Sequence, residues 1–415
     1  MKIVILTIIA VIQCIASVIL GWSILIAVIG SIKGNKKEKT KKIYNKNFKF
    51  DIVICAHNEE NVICGILDSL KNQTYSSKYW KVFLIADNCT DNTVQVAKKY
   101  NFVTIYEHKT DEGAKRKGIA LKWGLEKIIK KNKDLSDAFI LFDADNQIVP
   151  EFLEIFNEKF CEGSKIITGN RVAMNPYDSI VSSWYTVYWS IIMNLFCKTH
   201  RNLGLSATLS GTGLGFLESL IIESGFNTYT LTEDIEFATQ QSLKDIKIDY
   251  AEDAIYYDEQ PTKFFTMVHQ LSRWATGGYQ TIKIYIKKMI EKIFKGPNFF
   301  RFDCFISTFS GIGMCFSILA GIMISIVALI YGGTFKEYAL MTGISLSIQM
   351  YIIAFFAAKQ SGFSVRKMWL SIILYPIFIQ VFSIISLYRL FIPEKTWHKI
   401  EHKGNKLEYE LLKKE

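Results

Sequence analysis

The chain has 415 residues, half of them apolar and 21% charged, with a positive mean hydropathy. That balance is too greasy for an ordinary soluble domain, and it excludes disorder, collagen and a disulfide-stapled miniprotein; the length allows two or three domains. The net charge of +10 would fit a nucleic-acid partner if spread over a surface, but Lys33 to Lys49 alone holds eight lysines against Glu38. Most of the excess is therefore one short run, and no nucleic acid is expected. The eight cysteines form no C-x-x-C pair and several lie in apolar runs, which fits a reducing compartment.

Residues 1–32 read as a transmembrane helix. From Ile3 to Ile32 no side chain is charged, and at about 1.5 Å per residue that run exceeds a hydrocarbon core of roughly 30 Å. It is also too long for a cleaved signal peptide. Only Lys2 precedes it, and the basic linker 33–49 succeeds it, so the amino terminus is expected outside and the chain beyond Lys33 in the cytoplasm. The lysine run is a topology signal that can touch anionic lipid.

Residues 50–300 read as a cytosolic α/β domain. Phe50–Cys55, Val82–Ala86, Val103–Tyr106 and Ala138–Phe142 are short β-branched or aromatic runs that predict buried parallel strands. Helical periods over Glu59–Lys71, Thr93–Lys99, Lys115–Lys131 and Glu151–Phe160 separate them. Such alternation predicts a Rossmann-like, mostly parallel sheet with ligands beyond the carboxyl ends of its strands. Ser179 to Cys197 is uncharged but rich in aromatics, which predicts an interfacial or protein-buried helix; a second interfacial helix is expected over 279–295. Residues 301–392 hold three uncharged stretches, Cys304–Phe335, Tyr338–Ala358 and Met368–Tyr388, each long enough to cross. Three crossings conflict with the basic tail 393–415, whose lysines look cytoplasmic; either one segment does not cross or the first stretch hides a second pass.

The polar clusters fall where that sheet would present them. Asp143 and Asp145 follow a strand, and two residues of extended chain can aim both carboxylates at one hard cation, although acidic turns are common. Asp87 ends another strand and is placed to accept hydrogen bonds from a base, while Asp91 or Thr90 caps the next helix. Lys115-Arg116-Lys117-Gly118 opens a helix after Asp111-Glu112-Gly113, an arrangement that suits a diphosphate or a solvated basic turn. Thr232-Glu233-Asp234-Ile235-Glu236 is by itself a helix start capped by Thr232, though a carboxylate there can take a proton from an attacking hydroxyl. In Gln270-Leu271-Ser272-Arg273-Trp274, the guanidinium matches phosphate and the indole can stack on a sugar or pack in a core. The six histidines show no ligand spacing, so no zinc site is expected.

Taken in order, Asn58-Glu59, Asp87, Asp143-x-Asp145, Thr232-Glu233-Asp234 and Gln270-x-x-Arg273-Trp274 resemble the ordered motifs of inverting family-two glycosyltransferases. More narrowly they resemble the membrane-embedded processive branch, the poly-N-acetylglucosamine, hyaluronan, chitin and cellulose synthases. The resemblance implies a GT-A-type fold, a nucleotide-sugar donor (UDP-N-acetylglucosamine or UDP-glucose) and Mg2+ or Mn2+. Carried over by position, it implies that Asp87 and Glu59 bind the uridine, that Lys117 approaches the diphosphate, and that Asp145 ligates the metal with Asp143 assisting. It further implies that Gly211, Thr212, Gly213 and Glu233 border the acceptor pocket, that Asp234 is the general base, that Arg273 holds the leaving diphosphate, and that Gln270 and Trp274 meet the acceptor sugar.

Three readings remain open on these residues. The first is a processive synthase of a β-linked polysaccharide; the second is a non-processive enzyme adding one sugar to a lipid or lipid-linked acceptor, favoured by the small number of helices. The third, a catalytically silent scaffold, sits badly with the intact acidic set. Both enzymatic readings place the chain in the plasma membrane as a multi-pass protein, with accessory or export subunits as further partners.

Overall fold

The computed structural model of the chain describes residues 2–34, 44, 46–110, 116–131, 136–332, 334–394 and 404. The centre of the lysine run, residues 111–115 with Lys115, and all of the tail beyond Glu394 except Gly404 lie outside the described residues.

In chain order the elements are α1 (Lys2–Lys33), β1 (Phe50–Ala56), α2 (Ile63–Lys71), β2 (Trp80–Asp87), α3 (Thr93–Ala97), β3 (Val103–His108), α4 (Lys117–Lys131), β4 (Ala138–Asp143), β5 (Gln147–Ile148), α5 (Phe152–Cys161) and β6 (Ile166–Ala173). A single continuous helical run comes next, made of α6 (Ile180–Ile191), a π-helical stretch Ile192–Lys198 and α7 (Thr199–Leu203). The remainder is β7 (Leu214–Leu217), α8 (Glu218–Ser224), α9 (Glu233–Ser242), β8 (Ile248–Asp258), α10 (Phe264–Lys295), α11 (Phe299–Thr308), α12 (Ser310–Tyr331), α13 (Thr334–Gln360), α14 (Val365–Ile373) and α15 (Tyr375–Phe391).

The four expected strands form one end of the sheet in the order β3-β2-β1-β4, all parallel. β1, β2 and β4 are apolar on both faces because both faces are covered, whereas β3, expected to be buried, is the edge strand and leaves Thr104 and Glu107 exposed. Val53, Phe83, Ile85, Phe139 and Leu141 enter a core shared with α4 and α6. Ile52, Ile54, Leu84, Ile140 and Phe142 enter the opposite core with α2 and α5. Burying each such side chain contributes about 1.5–3 kcal/mol.

The expectation of a mostly parallel sheet needs correction for the other half. There β7 runs antiparallel to both β4 and β6, β6 is parallel to β8, and β5 closes the edge antiparallel to β8. The reversal starts at Gly211 and Gly213, whose φ of +80° and +60° are left-handed. A side chain on Gly213 would run into the ring of Tyr256, so glycine is required there on two counts. Because β7 opposes β4, its beginning lies at the carboxyl end of β4, which is where the site forms.

Among the described residues two stretches, Thr7–Lys33 and Ile180–Leu203, are helical, long and apolar enough to cross a membrane, and α14 with α15, bent by 49°, would make a third. In the second stretch Trp184, Tyr185, Val187 and Trp189 are buried in the domain core. The segment 279–295 is no separate helix; it is the second half of the 32-residue α10. Cys14, Cys55, Cys64, Cys89, Cys161, Cys197 and Cys304 are all free thiols.

Candidate active site

The parallel half of the sheet ends in two interlocked loops. Asn58 and Asn88 adopt left-handed backbone, φ 59° and 48°, which asparagine tolerates better than most residues. The Asn58 Oδ1 accepts from Thr90 N at 2.7 Å and Asp91 N at 3.3 Å. Glu59 N donates to Thr93 Oγ1 at 2.8 Å, and Glu60 Oε2 accepts from Asn92 N at 3.0 Å. The cap position of α3 is Asn92, whose side chain makes no cap bond, so neither Thr90 nor Asp91 is the cap expected of them; Asp91 Oδ1 accepts Thr93 N at 3.0 Å from one residue further back. Asp87 is buried behind these loops, and its Oδ1 lies 2.8 Å from both Asn88 Nδ2 and His108 Nδ1. His108 was not expected; only the β2–β3 register, which pairs it with Asp87, reveals it.

At the end of β4, Asp143 N donates to Thr212 Oγ1 at 2.8 Å and Asn146 Oδ1 at 3.1 Å. Lys117, the first residue of α4, reaches the same point. Its Nζ lies 2.5 Å from Asp143 Oδ1, 2.8 Å from the Gly211 carbonyl and 3.4 Å from Glu233 Oε1. Burial opposes its charge, but the Asp143 and Glu233 carboxylates outweigh that and hold the lysine pKa above its ordinary value. Asp145 is half-buried two residues on. Among the described residues no group of three or more His, Cys, Asp or Glu side chains is arranged to hold a metal. Two adjacent carboxylates fit Mg2+ or Mn2+ only when a ligand's phosphate oxygens and water complete the shell.

Asp234 sits opposite. A Cβ on Gly211 would lie 3.4 Å from its Oδ2, and its Oδ1 accepts Ile235 N at 2.8 Å. Asp234 lines an otherwise largely apolar cavity with Leu121, Leu141, Leu209, Leu214 and Phe237. Burial, and then the neighbouring Glu233, raise its pKa to about 6 against the pull of the Ile235 N–H, Lys117 and Arg273.

Thr232 occupies the cap position of α9, yet its side chain makes no cap bond, which corrects the capping role expected of it. The loop before α9 is held instead by Glu236. This fully buried carboxylate accepts Tyr229 N at 2.6 Å, Thr230 N at 2.7 Å and the Tyr285 hydroxyl at 2.9 Å. Tyr285 belongs to α10 and Leu231 N donates to Gln280 Oε1 of the same helix at 3.0 Å, so the loop that leads into Asp234 is clamped to the helix carrying Arg273 and Trp274. Tyr285→Phe should destabilise the protein by about 1–3 kcal/mol, because it removes one partner of a buried carboxylate. Thermal unfolding in detergent measures this, and an unchanged midpoint would show that the clamp adds nothing.

Trp274 is half-buried in an aromatic wall. Its ring stacks against Tyr188 at 5.9 Å and meets Trp189 and Tyr185 edge-on at 5.6 and 5.8 Å. The Arg171 guanidinium lies 3.8 Å over Trp189 and donates from Nη1 to the Ser210 carbonyl at 3.1 Å. Burial pushes the Tyr188 hydroxyl up to about 12. Gln270 Oε1 is buried and without a hydrogen bond among the described residues. Arg273 lies within electrostatic reach of Asp234. Thus Lys117, Asp143, Gly211, Thr212, Glu233 and Asp234 meet directly, Arg273 on α10 is within electrostatic reach of Asp234, its neighbour Trp274 joins the aromatic wall through Tyr188, and Asp87 and Glu59 lie at the neighbouring strand ends.

Comparison with known proteins decides what this cleft belongs to. The family model "Glycosyl transferase family 2" matches residues 51–216, and "Glycosyl transferase family group 2" matches 138–388, more than half of the chain. The chain belongs to glycosyl transferase family group 2. It is therefore a glycosyltransferase acting on a nucleotide-sugar donor. It is similar to the "Probable glycosyltransferase YdaM" of Bacillus subtilis, 24% identical over 85% of this chain and 86% of that one. It is also similar to a "Beta-monoglucosyldiacylglycerol synthase" of Nostoc sp., 23% identical over 63% of this chain and 56% of that one. Among solved structures it shares the fold of the mannosyltransferase PcManGT from Pyrobaculum calidifontis, determined with GDP-Man and Mn2+. That match has a TM-score of 0.63 and 14% identity, and covers 92% of this chain and 100% of that one.

Proposed function

We propose that this glycosyltransferase moves a sugar from a UDP-sugar, UDP-N-acetylglucosamine or UDP-glucose, with inversion, onto the growing end of a β-linked polysaccharide at the cytoplasmic face of the plasma membrane. The observation that carries the reading is the placement of Trp274 in an aromatic wall with Tyr188 and Trp189, with the Tyr188 hydroxyl within electrostatic reach of Asp234. Aromatic faces bind the apolar faces of sugar rings, and this wall extends through Tyr185 and Tyr188 to Phe378 and Phe382.

The acceptor hydroxyl loses its proton to Asp234 as its oxygen bonds to the anomeric carbon. The bond from that carbon to the diphosphate breaks, and its electron pair leaves with the diphosphate. Lys117 and Arg273 offset the charge that accumulates there, while Asp87 and Glu59 hold the uridine. Asp145 and Asp143 would hold Mg2+ or Mn2+ together with the diphosphate, and a bound cation supplies further charge neutralisation. Gly211, Thr212, Gly213, Glu233 and Gln270 line the approach of the acceptor.

The position of Asp234 sets the pH profile. A base must be deprotonated, and its carboxyl is raised to about 6, so kcat/KM should fall as the pH drops through about 6. Glu233→Gln removes a like charge and should shift that limb to lower pH. A profile flat between pH 5 and 8 in the parent enzyme would remove Asp234 from the role.

A second reading, transfer of one sugar to a lipid acceptor, is favoured by the named activity of the Nostoc relative. A screen of nucleotide sugars with product sizing separates the two. Long chains support the first reading; a product of defined size that partitions into organic solvent supports the second.

A further inference from the structure

The bent pair α14–α15 is apolar enough to cross a bilayer with its two halves combined, yet it touches the catalytic domain along its whole length. Trp184 Nε1 donates to the Ser371 carbonyl at 3.0 Å. Phe378 packs on Trp184, Tyr185 and Tyr188, and Phe382 on Tyr188. Further on, the Tyr279 hydroxyl donates to the Ser386 carbonyl and Glu394 N to Thr276 Oγ1, each at 3.0 Å. These partners lie on α6 and α10, the helices that form the acceptor wall. A helix that crossed would carry one end about 30 Å away from them.

The opposite face of the pair is apolar and open. Trp369, Leu370, Ile373, Ile377, Ile384 and Tyr388 are all more than a third exposed, and Arg366, Lys367 and Arg389 stand near its two ends. Basic ends around an exposed apolar stripe are what a helix lying in the headgroup boundary presents. The surface is continuous with the membrane helices, since α15 also packs on α12 and α13.

The other helices give the count of crossings. Ser31 and Gly34 at the end of α1 line the same polar cleft as Gln360 at the end of α13, so α13 returns to the side on which α1 ends. Between them α12 runs Ser310–Tyr331 without a charged residue, and α13 is uncharged from Tyr338 to Ala358.

We propose that α14–α15 lies on the cytoplasmic leaflet as the membrane-docking surface of the acceptor wall, and that the chain crosses three times, through α1, α12 and α13. Glu394 is then on the catalytic side, which removes the conflict between three carboxyl-terminal spans and a basic tail. The acceptor wall sits one helix thickness, about 10 Å, from the lipid. The side assignment rests on the proposed cytoplasmic placement of the catalytic domain; the geometry of α14–α15 does not.

Two measurements on the full chain test this. The first attaches nitroxide labels at Trp369, Ile377, Ile384 and Tyr388 in reconstituted enzyme that retains transfer activity, and reads depth from oxygen and nickel-chelate collisions. A surface helix gives similar shallow depths at all four. A crossing helix gives depths spread over about 28 Å, which would overturn the proposal. The second inserts epitope tags at Gly332 and after Glu394 and treats sealed right-side-out vesicles with protease. Cleavage at Gly332 with protection after Glu394 supports the proposal. Tags on the same side would overturn the crossing count, and the fully reversed pattern would keep the count and overturn the cytoplasmic placement of the catalytic domain.

Discussion

Asp234→Asn lowers kcat by about 10²–10⁴-fold, the contribution typical of a positioned general base, while the donor KM stays within about two-fold. Asparagine is close to isosteric, and its side-chain oxygen still accepts the Ile235 N–H that Asp234 Oδ1 takes at 2.8 Å, so the start of α9 keeps its geometry. What is lost is a proton acceptor raised to about 6 by burial and by Glu233. Initial rates at saturating donor, beside a donor-binding titration of the same variant, check this. A variant that turns over at the parent rate would show that another group accepts the proton. A variant that no longer binds donor would show that Asp234 holds the donor rather than activating the acceptor.

Asp145→Ala costs donor affinity about 10²-fold in the presence of Mg2+ or Mn2+ and little in its absence. The reason is the composition of the site. Asp143 is already engaged by Lys117 at 2.5 Å, and no larger metal cluster exists among the described residues. A cation there depends on Asp145 and on the diphosphate it shares. Calorimetry of UDP binding with and without metal measures the difference. Equal affinity in all four combinations would remove Asp145 from metal binding and leave Lys117 and Arg273 to meet the diphosphate alone.

Much of the first half of the domain was legible because it is locally consistent. Ile52–Ala56, Val82–Ala86 and Ala138–Phe142 are continuous apolar runs buried on two faces, and such runs read as interior parallel strands. The second half carries no such signal. Ile166–Ala173 contains Thr168, Gly169, Asn170 and Arg171, Ile248–Asp258 contains Asp249, Glu252 and Asp253, and Leu214–Leu217 is only four residues long. Their strand character comes from neighbours that pair with them, a tertiary effect that outweighs local propensity. The same holds for site residues. Asp87, Asp143 and Asp234 stood out as acidic residues after apolar runs or in a motif, whereas His108, Arg171, Tyr188 and Glu236 are ordinary in their local context and acquire roles through contacts more than 20 residues away or through complete burial.

Composition by itself pointed to a membrane-associated protein, and motif order, through the resemblance it carries, to a glycosyltransferase with a nucleotide-sugar donor, because long uncharged runs and ordered motifs are local properties of the chain. Tertiary structure decided how the cleft is assembled. The antiparallel β7 brings Thr212 to the end of β4, the ammonium of Lys117 joins Asp143 to Glu233, and burial raises Asp234. It also laid α14–α15 along the catalytic domain, which no hydropathy count distinguishes from a crossing: an apolar helix has the same sequence signature against protein on one face and lipid on the other as it has through a bilayer, and only its contacts tell the two apart.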